Sequence, residues 1–272
     1  NMSLQKNLVF LKLGGSLITN KMIISTALPE VISRIAKEIK SAQEKNPDLQ
    51  ILLGHGSGSF GHTAAKAHGT KEGVSSKEEW RGFNEVWHQA SALNRIVIDS
   101  FHDKGIPAIS FPASSSTITE NGKIRDWNIP PIKKALDEDI FPIVFGDVVF
   151  DKEIRGTIVS TEDIFSYFAE KLRPQRILLA GLDEGVFWDY PICEKLIKEI
   201  NPKNIKEIRP SLGGSAATDV TGGMTSKVEE MLSLVGKVEG LEVQIFSGKE
   251  NNSVKDALLG KDLGTKITSG TK

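Results

Sequence analysis

LVFLKLGGS, residues 8–16, begins as an apolar run and ends at two glycines and a serine. A short apolar run bounded by glycines predicts a buried β-strand. Glycines allow the backbone to approach a ligand closely, and successive N–H groups in such a turn form a nest that binds anions. Lys12 lies inside this strand, and a buried ammonium group needs an anionic partner. The stretch therefore predicts either a phosphate site or a plain strand-to-helix turn with a surface lysine.

Beyond this strand, predicted strands alternate with predicted helices along the chain. Their order predicts an α/β protein with a mostly parallel sheet and helices on both faces, in which ligands bind at the carboxyl ends of the strands. No linker is visible, so we expect one domain over residues 1–272, with an N-terminal lobe (8–160) and a C-terminal lobe (161–270). Further strands are predicted at 50–54, 107–111, 141–145, 176–180 and 243–246, hairpins at 117–124 and 148–159, and helices at 29–45, 76–104, 131–137, 161–172, 224–236 and 253–259.

The composition is that of an ordinary globular protein, with 272 residues, 39% hydrophobic and 25% charged, and a formal net charge of −1. A near-neutral balance argues against nucleic-acid binding, which normally shows a basic excess. No run approaches the roughly 18 apolar residues needed to span a bilayer, and no secretion signal is visible. The single cysteine, Cys193, excludes a disulfide within the chain. We therefore expect a cytoplasmic protein without nucleic-acid or membrane partners.

A second glycine-rich stretch, HGSGSFGH (55–62), directly follows a predicted strand. Its three glycines match the dinucleotide-binding pattern G-x-G-x-x-G, and the stretch also nearly matches the P-loop, with His62 in the place of the P-loop lysine. Both patterns describe backbone N–H groups that face phosphate oxygens. The dinucleotide interpretation needs an acidic residue about 20 positions further on, which Glu78 or Glu79 could supply.

A third candidate cradle, TGGMTSK (221–227), opens a predicted helix. Two glycines at a helix N-terminus favour phosphate binding, because the N–H groups and the helix dipole both attract an anion. Lys227 lies about one turn inside the helix and could reach back to such a phosphate. Asp219, just upstream, could hydrogen-bond a nucleotide or cap the turn. The alternative interpretation is a helix cap followed by a solvated lysine.

Three separate phosphate cradles and two lysines favour a phosphoryl-transfer enzyme. A dehydrogenase needs one pyrophosphate loop. A kinase with a phosphorylated acceptor needs one cradle for the ATP phosphates, one for the acceptor phosphate, and cations between them. A nicotinamide oxidoreductase built on the second loop stays an alternative. A protein that only binds nucleotides or anions is another, although such a protein is expected to have lost its lysines.

These motifs together resemble the amino-acid-kinase superfamily, in order and over nearly the whole chain. Within it, the second loop with its closing Phe-Gly-His resembles the isopentenyl phosphate kinases. The fosfomycin-type phosphonate kinases, or kinases of another small phosphomonoester, are the alternatives. The resemblance implies an open αβα sandwich, a homodimer, and phosphorylation of isopentenyl phosphate by ATP and Mg²⁺ to isopentenyl diphosphate, an isoprenoid precursor. It implies no metal-binding side chains, because the nucleotide phosphates mainly hold Mg²⁺.

The resemblance also implies site residues, and it leaves one position open. Many members carry Ser-Gly-Asp where this chain has STED (160–163), so either Glu162 or Asp163 takes the place of the acid. The implied catalytic residues are Lys12, Lys21, His62 and Lys227. The expected ATP-binding residues are Lys12, Leu13, Gly14, Gly15, Ser16, Gly58, Leu182, Asp183, Asp219, Gly222, Gly223 and Lys227. The expected acceptor-binding residues are Gly56, Ser57, His62, Gly146, Asp147 and Thr161.

The longest predicted helix carries aromatic residues that could line a pocket for an apolar tail. Five of its residues recur at spacings of three and four and so share one face: Trp80, Phe83, Trp87, Ala90 and Asn94. The alternative is that this face belongs to the ordinary core. By resemblance, Phe83 matches an aromatic residue of the isoprenoid pocket. We hypothesise that Phe83, Val86 and Trp87 contact a five-carbon tail.

Overall fold

Strands alternate with helices along the chain, as the sequence predicts. The computed structural model describes residues 7–61, 69–212 and 223–270. The strands are β1 (Asn7–Leu13), β2 (Leu49–His55), β3 (Ala108–Ser110), β4 (Thr117–Glu120), β5 (Lys123–Trp127), β6 (Phe141–Phe145), β7 (Asp147–Asp151), β8 (Arg155–Val159), β9 (Arg176–Gly181), β10 (Val186–Phe187), β11 (Leu196–Ile197), β12 (Glu199–Ile200), β13 (Glu242–Ser247) and β14 (Thr265–Ile267). The helices are α1 (Gly15–Ile18), α2 (Pro29–Lys45), α3 (Lys77–His102), α4 (Ala113–Ser116), α5 (Pro130–Asp137), α6 (Thr161–Leu172), α7 (Ile205–Leu212), α8 (Gly223–Lys237) and α9 (Ser253–Leu258).

The main sheet has the strand order β12-β14-β13-β9-β1-β2-β6-β3 within the described residues. From β13 to β3 every neighbouring pair is parallel, whereas β14 runs antiparallel to β13. The predicted α/β class with a mostly parallel sheet is therefore confirmed. Because β1, β2, β6, β9 and β13 point the same way, their carboxyl ends meet at one edge of the sheet. The glycine-rich loops after β1 and β2 begin at this edge.

Helices cover both faces of the main sheet, and side-chain alternation along β1 shows how. Leu8 and Phe10 point into one core cluster, where the Phe10 ring lies 5.2 Å from that of Phe165 in α6. Val9 and Leu11 point into the opposite cluster, which α2 and α3 help to form. β1 therefore has a core cluster on each of its faces. By the same alternation, Lys12 lies on the face that α6 covers.

A smaller sheet, with the strand order β5-β4-β7-β8, lies beside the main sheet. Asp151, at the end of β7, joins its loops, because its buried carboxylate accepts five hydrogen bonds. The donors are Thr119 Oγ1 (2.7 Å) and the N–H groups of Asn121 (3.1 Å), Gly122 (2.8 Å), Glu153 (2.8 Å) and Ile154 (2.9 Å). Burial opposes ionisation, but these donors outweigh it and hold the pKa of Asp151 well below its ordinary value.

The structure also contains elements that the sequence analysis did not predict. The short elements β10, β11, β12 and α7 lie between residues 186 and 212, where hydrophobic periodicity is weak, and β14 and β12 extend the main sheet beyond β13. The predicted helix 76–104 is observed as α3, preceded by a capping box between Ser76 and Glu79. Among the described helices, none combines the length and apolar character that a membrane crossing requires.

Candidate active site

Lys12 enters the candidate site from the end of β1. Because side chains alternate along a strand, Lys12 shares the face of Leu8 and Phe10, which α6 covers. Its Nζ forms an ion pair with the carboxylate of Glu162, in the first turn of α6. Both side chains are largely buried, with 13% and 9% of their surfaces exposed. This carboxylate supplies the anionic partner that a buried lysine requires.

Two lysines act on the Glu162 carboxylate. Burial opposes its ionisation, but the positive charges of Lys12 and Lys227 outweigh burial and hold the pKa of Glu162 below its ordinary value. Lys227 lies in the second turn of α8 and is partly buried. The structure therefore brings together lysines from opposite ends of the sequence. Asp219 and Gly222, predicted in the same cradle as Lys227, lie outside the described residues.

The two adjacent acids at the start of α6 have different contacts. The Asp163 carboxylate accepts hydrogen bonds from the N–H group (2.8 Å) and Oγ (2.7 Å) of Ser160, while the Asp163 N–H donates to Ser160 Oγ (3.0 Å). This reciprocal arrangement is a capping box, and it engages the Asp163 carboxylate at the helix start. Glu162 is thus the acid that faces Lys12, at the position that the sequence left open.

The first two glycine loops pack backbone against backbone at the ends of β1 and β2. A β-carbon added to Gly15 would lie 2.6 Å from Gly58 Cα, and one added to Gly56 would lie 2.7 Å from the Gly15 nitrogen. Gly58 has a φ of +51°, which favours glycine. The Gly56 N–H also donates to the Leu13 carbonyl oxygen (2.9 Å). The two predicted cradles therefore form one backbone surface that continues from Lys12. His62, predicted to complete it, lies outside the described residues.

The predicted acceptor residues near β6 and β7 contact each other and the protein backbone. Ser57 Oγ donates to the carbonyl oxygen of Gly146 (3.3 Å), which joins the second glycine loop to the start of β7. Asp147 is fully buried and accepts from the N–H groups of Ser114 (3.0 Å) and Val148 (2.9 Å). Burial raises the pKa of Asp147 to about 6, although these donors oppose the rise. Its carboxylate therefore connects α4 to β7. A contact between Asp147 and the phosphorylated substrate stays a prediction.

A family model described as "Amino acid kinase family" matches residues 7–247. The chain belongs to the amino acid kinase family. It is 34% identical to the isopentenyl phosphate kinase of Methanocaldococcus jannaschii, over 96% of this chain and 98% of that protein. It is 32% identical to that of Methanothermobacter thermautotrophicus, over 96% and 99%. An X-ray structure of isopentenyl phosphate kinase superimposes with a TM-score of 0.80 at 29% identity, covering 96% of this chain and 100% of that one.

In this amino acid kinase, the predicted tail-binding residues lie in different environments. Phe83 and Val86 are buried in a small cluster with Val74 and Val148, between α3 and the smaller sheet. Trp87, in contrast, is 41% exposed, so the face that it shares with Phe83 is only partly buried, and its contact with an apolar tail stays a prediction. The buried stripe of α3 includes Val86, and one residue further along a helix rotates the side chain by about 100°, which carries Trp87 to the edge of that stripe.

His55 is buried at the end of β2, although sequence reasoning did not assign it to the site. Its Nδ1 lies 3.0 Å from the Gly56 carbonyl oxygen and its Nε2 lies 3.2 Å from Asn94 Oδ1, while its ring stacks on Phe145. Burial lowers the pKa of His55. Thr161 Oγ1 donates to the His55 carbonyl oxygen (2.7 Å). The His55 side chain therefore connects the second glycine loop to α3, and the Thr161 side chain connects the His55 backbone to α6. No local pattern signals such contacts.

The other predicted nucleotide and catalytic residues of this amino acid kinase differ in their exposure, and their roles stay predictions. Leu13 is buried, whereas Gly14, Ser16 and Gly223 are partly exposed. Lys21 is exposed, two residues after Thr19, whose pairing with Ala27 closes a loop. Leu182 follows β9 and packs partly against the core, and Asp183 is exposed beside it. The dinucleotide interpretation loses one of its candidate acids, because the Glu79 carboxylate caps α3.

Proposed function

We propose that the protein transfers the γ-phosphoryl group of ATP to isopentenyl phosphate, giving isopentenyl diphosphate and ADP. The observation that carries this proposal is the convergence of Lys12 and Lys227 on Glu162, beside the two packed glycine loops. The identities of 34% and 32% to isopentenyl phosphate kinases, over nearly the full length of each chain, support the choice of acceptor. Neither the fosfomycin-type nor the oxidoreductase alternative has such support.

The reaction needs positioning and charge neutralisation more than it needs a base. A phosphomonoester is already anionic near neutral pH, so its oxygen can attack the γ-phosphorus atom without losing a proton to a strong general base. Lys12, Lys21 and Lys227 would neutralise the charge on the transferred group, and the N–H groups of the glycine loops would hold phosphate oxygens. Glu162 would keep Lys12 and Lys227 in place until phosphates compete for them.

We place the nucleotide in the C-terminal lobe (161–270) and the acceptor in the N-terminal lobe (8–160). Ser57 and His62 would bind the acceptor phosphate, and Phe83 and Val86 would set the depth of the apolar pocket, with Trp87 at its rim. Across the described residues, no three His, Cys, Asp or Glu side chains gather as a metal site. We infer that Mg²⁺ enters with the ATP phosphates, whose oxygens it prefers as ligands and whose charge it neutralises. A homodimer, a cytoplasmic location and the absence of nucleic-acid partners stay predictions.

The test is ADP release in a coupled assay with Mg·ATP and one of three conditions: isopentenyl phosphate, fosfomycin or no acceptor. We expect turnover with isopentenyl phosphate alone. Lys12→Ala should abolish it, because the variant lacks a charge at the transferred phosphate. Lys134→Ala is the matched control, since Lys134 forms an exposed pair with Glu138 and should leave turnover unchanged. No turnover with isopentenyl phosphate, in a protein that binds ATP, would refute the proposed acceptor.

The apolar tail has its own test. Phe83→Ala would enlarge the pocket, so we expect the KM for isopentenyl phosphate to rise while the KM for ATP stays constant. Val74 packs in the same cluster, so Val74→Ala is the control for a loss of packing there. Comparing its KM for isopentenyl phosphate with that of Phe83→Ala separates a loosened cluster from a lost tail contact. An unchanged acceptor KM in Phe83→Ala would exclude Phe83 from the tail pocket.

A further inference from the structure

A third carboxylate lies between the two helices that carry the candidate site. Glu230 is on α8, three residues and thus about one turn after Lys227, and its side chain is half-buried. Its Oε1 accepts a hydrogen bond from Oγ of Ser166 (2.8 Å) on α6. Ser166 in turn lies one turn after Glu162 and Asp163 on that helix. The Ser166–Glu230 hydrogen bond therefore connects α6 to α8, about one helical turn from Glu162 and from Lys227.

The charges around Glu230 favour its uncharged form. Burial and the negative charge of Asp163 raise its pKa, and Glu162 adds to the rise; the Ser166 hydrogen bond and the Lys12 charge oppose it, leaving the pKa at about 7. Two lysines (Lys12, Lys227) and two acids (Glu162, Asp163) balance each other when Glu230 is uncharged. Two further ion pairs of these helices, Glu170–Lys237 and Arg209–Glu229, are exposed at the surface.

We propose that Glu230 is a positioning residue that controls the strength of the nucleotide phosphate site by gaining a proton when the nucleotide binds. The inference rests on the proposed function, because it takes the anion beside Lys12 and Lys227 to be a nucleotide. The balance of the step is simple: a proton leaves the buffer and joins a carboxylate oxygen of Glu230. The arriving phosphates add negative charge at the lysines, and loss of the Glu230 charge relieves the repulsion.

The proposal predicts a pH-dependent affinity with a defined sign. Above pH 7 the protein must first take up a proton at Glu230, so nucleotide binding weakens as pH rises. In the limit where only the protonated form binds, the Kd increases about tenfold from pH 6 to pH 8. Glu230→Gln should remove this dependence, because glutamine keeps an oxygen that accepts from Ser166 and carries no charge. Its Kd should stay close to the value of the unchanged protein at pH 6.

The experiment is calorimetric titration of the protein with Mg·ADP at pH 6, 7 and 8. Proton uptake is measured for the unchanged protein in two buffers of different ionisation enthalpy, which requires no variant. Ser166→Ala keeps the carboxylate but removes a hydrogen bond that lowers its pKa, so the midpoint of the Kd profile should move to higher pH. Glu229→Gln is the matched control, since Glu229 pairs with exposed Arg209 and should retain the full pH dependence.

The possible outcomes separate this inference from the proposed function. ADP, His55 and Asp147 are the same in all variants, so they contribute equally to the pH dependence of every Kd. The difference in pH dependence between Glu230→Gln and the unchanged protein therefore comes from Glu230. Equal pH dependence in the two proteins, or an unmoved midpoint in Ser166→Ala, would overturn the inference and leave the kinase assignment intact. Absence of Mg·ADP binding at every pH would instead overturn the nucleotide site itself, and the inference with it.

Discussion

Replacing Glu162 with glutamine would leave Lys12 with a largely buried and uncompensated charge, next to the second charge of Lys227. Removing one partner of a buried ion pair typically costs about 3–5 kcal/mol. Because 13% of the Lys12 side chain is exposed, water can compensate partly, and we expect a loss of about 3 kcal/mol in the free energy of unfolding. For a domain of this size, that loss lowers the melting temperature by roughly 6–12 °C.

The assay is calorimetric melting with and without phosphate, for Glu162→Gln and for Glu170→Gln on the same helix. Glu170 pairs with exposed Lys237, so its variant should lose less than about 0.5 kcal/mol. Phosphate can replace the missing carboxylate, and it should therefore raise the melting temperature of Glu162→Gln more than that of the unchanged protein. Equal melting temperatures for the two variants, or equal stabilisation by phosphate, would refute the assigned role of Glu162.

The sign of the pH dependence gives a second check on the same residue. The pKa of Glu162 is lowered in the folded protein, so the ion pair contributes stability above the ordinary glutamate range. This contribution is lost as pH falls through the lowered pKa. The stability difference between the unchanged protein and Glu162→Gln should thus be largest near neutral pH and shrink in acid.

Three further perturbations have defined outcomes. Gly15→Ala should lower kcat/KM by about a hundredfold without loss of helical circular dichroism, because its β-carbon would push the loop at Gly58 away. Asp151→Asn should lower the free energy of unfolding in urea by about 3 kcal/mol, since the amide nitrogen cannot accept the hydrogen bonds that a carboxylate oxygen accepts. The difference between the two proteins should shrink as the pH falls below about 4, because the pKa of Asp151 is lower in the folded protein than in the unfolded chain. Burial raises the pKa of Asp147 to about 6, so its ionisation above that pH destabilises the fold. The free energy of unfolding should therefore increase by up to about 3 kcal/mol as the pH falls from 7 to 4, and Asp147→Asn should remove this increase.

Much of the fold could be predicted because its signals are local. The apolar run at 8–13 gives a buried strand, and the helix predicted at 29–45 is observed with the same bounds as α2. No strand or helix is predicted between residues 186 and 212, where the observed elements are two to eight residues long and the strands depend on pairing with other segments. Periodicity also does not show that Trp87 is exposed, since spacing places a residue on a helix face but does not say where the buried part of that face ends.

The glycine and lysine motifs already show which residues are suited to phosphate chemistry. Two glycine loops follow strands, a third precedes a helix, and lysines accompany the first and the third. These are properties of a few adjacent residues, and backbone geometry links them directly to anion binding. The order of strands and helices likewise follows from short stretches, and it leads to a parallel sheet whose loops meet at one edge.

Which of these groups face each other depends on how the chain folds. Glu162 and Asp163 are adjacent acids, and their roles differ because a capping box engages one and leaves the other to Lys12, 150 residues away in the chain. The close contact of Gly15 with Gly58 and the Ser166–Glu230 bond also join distant segments. Charge and hydrogen bonding act over a few ångströms in space, and a single sequence carries no measure of that distance.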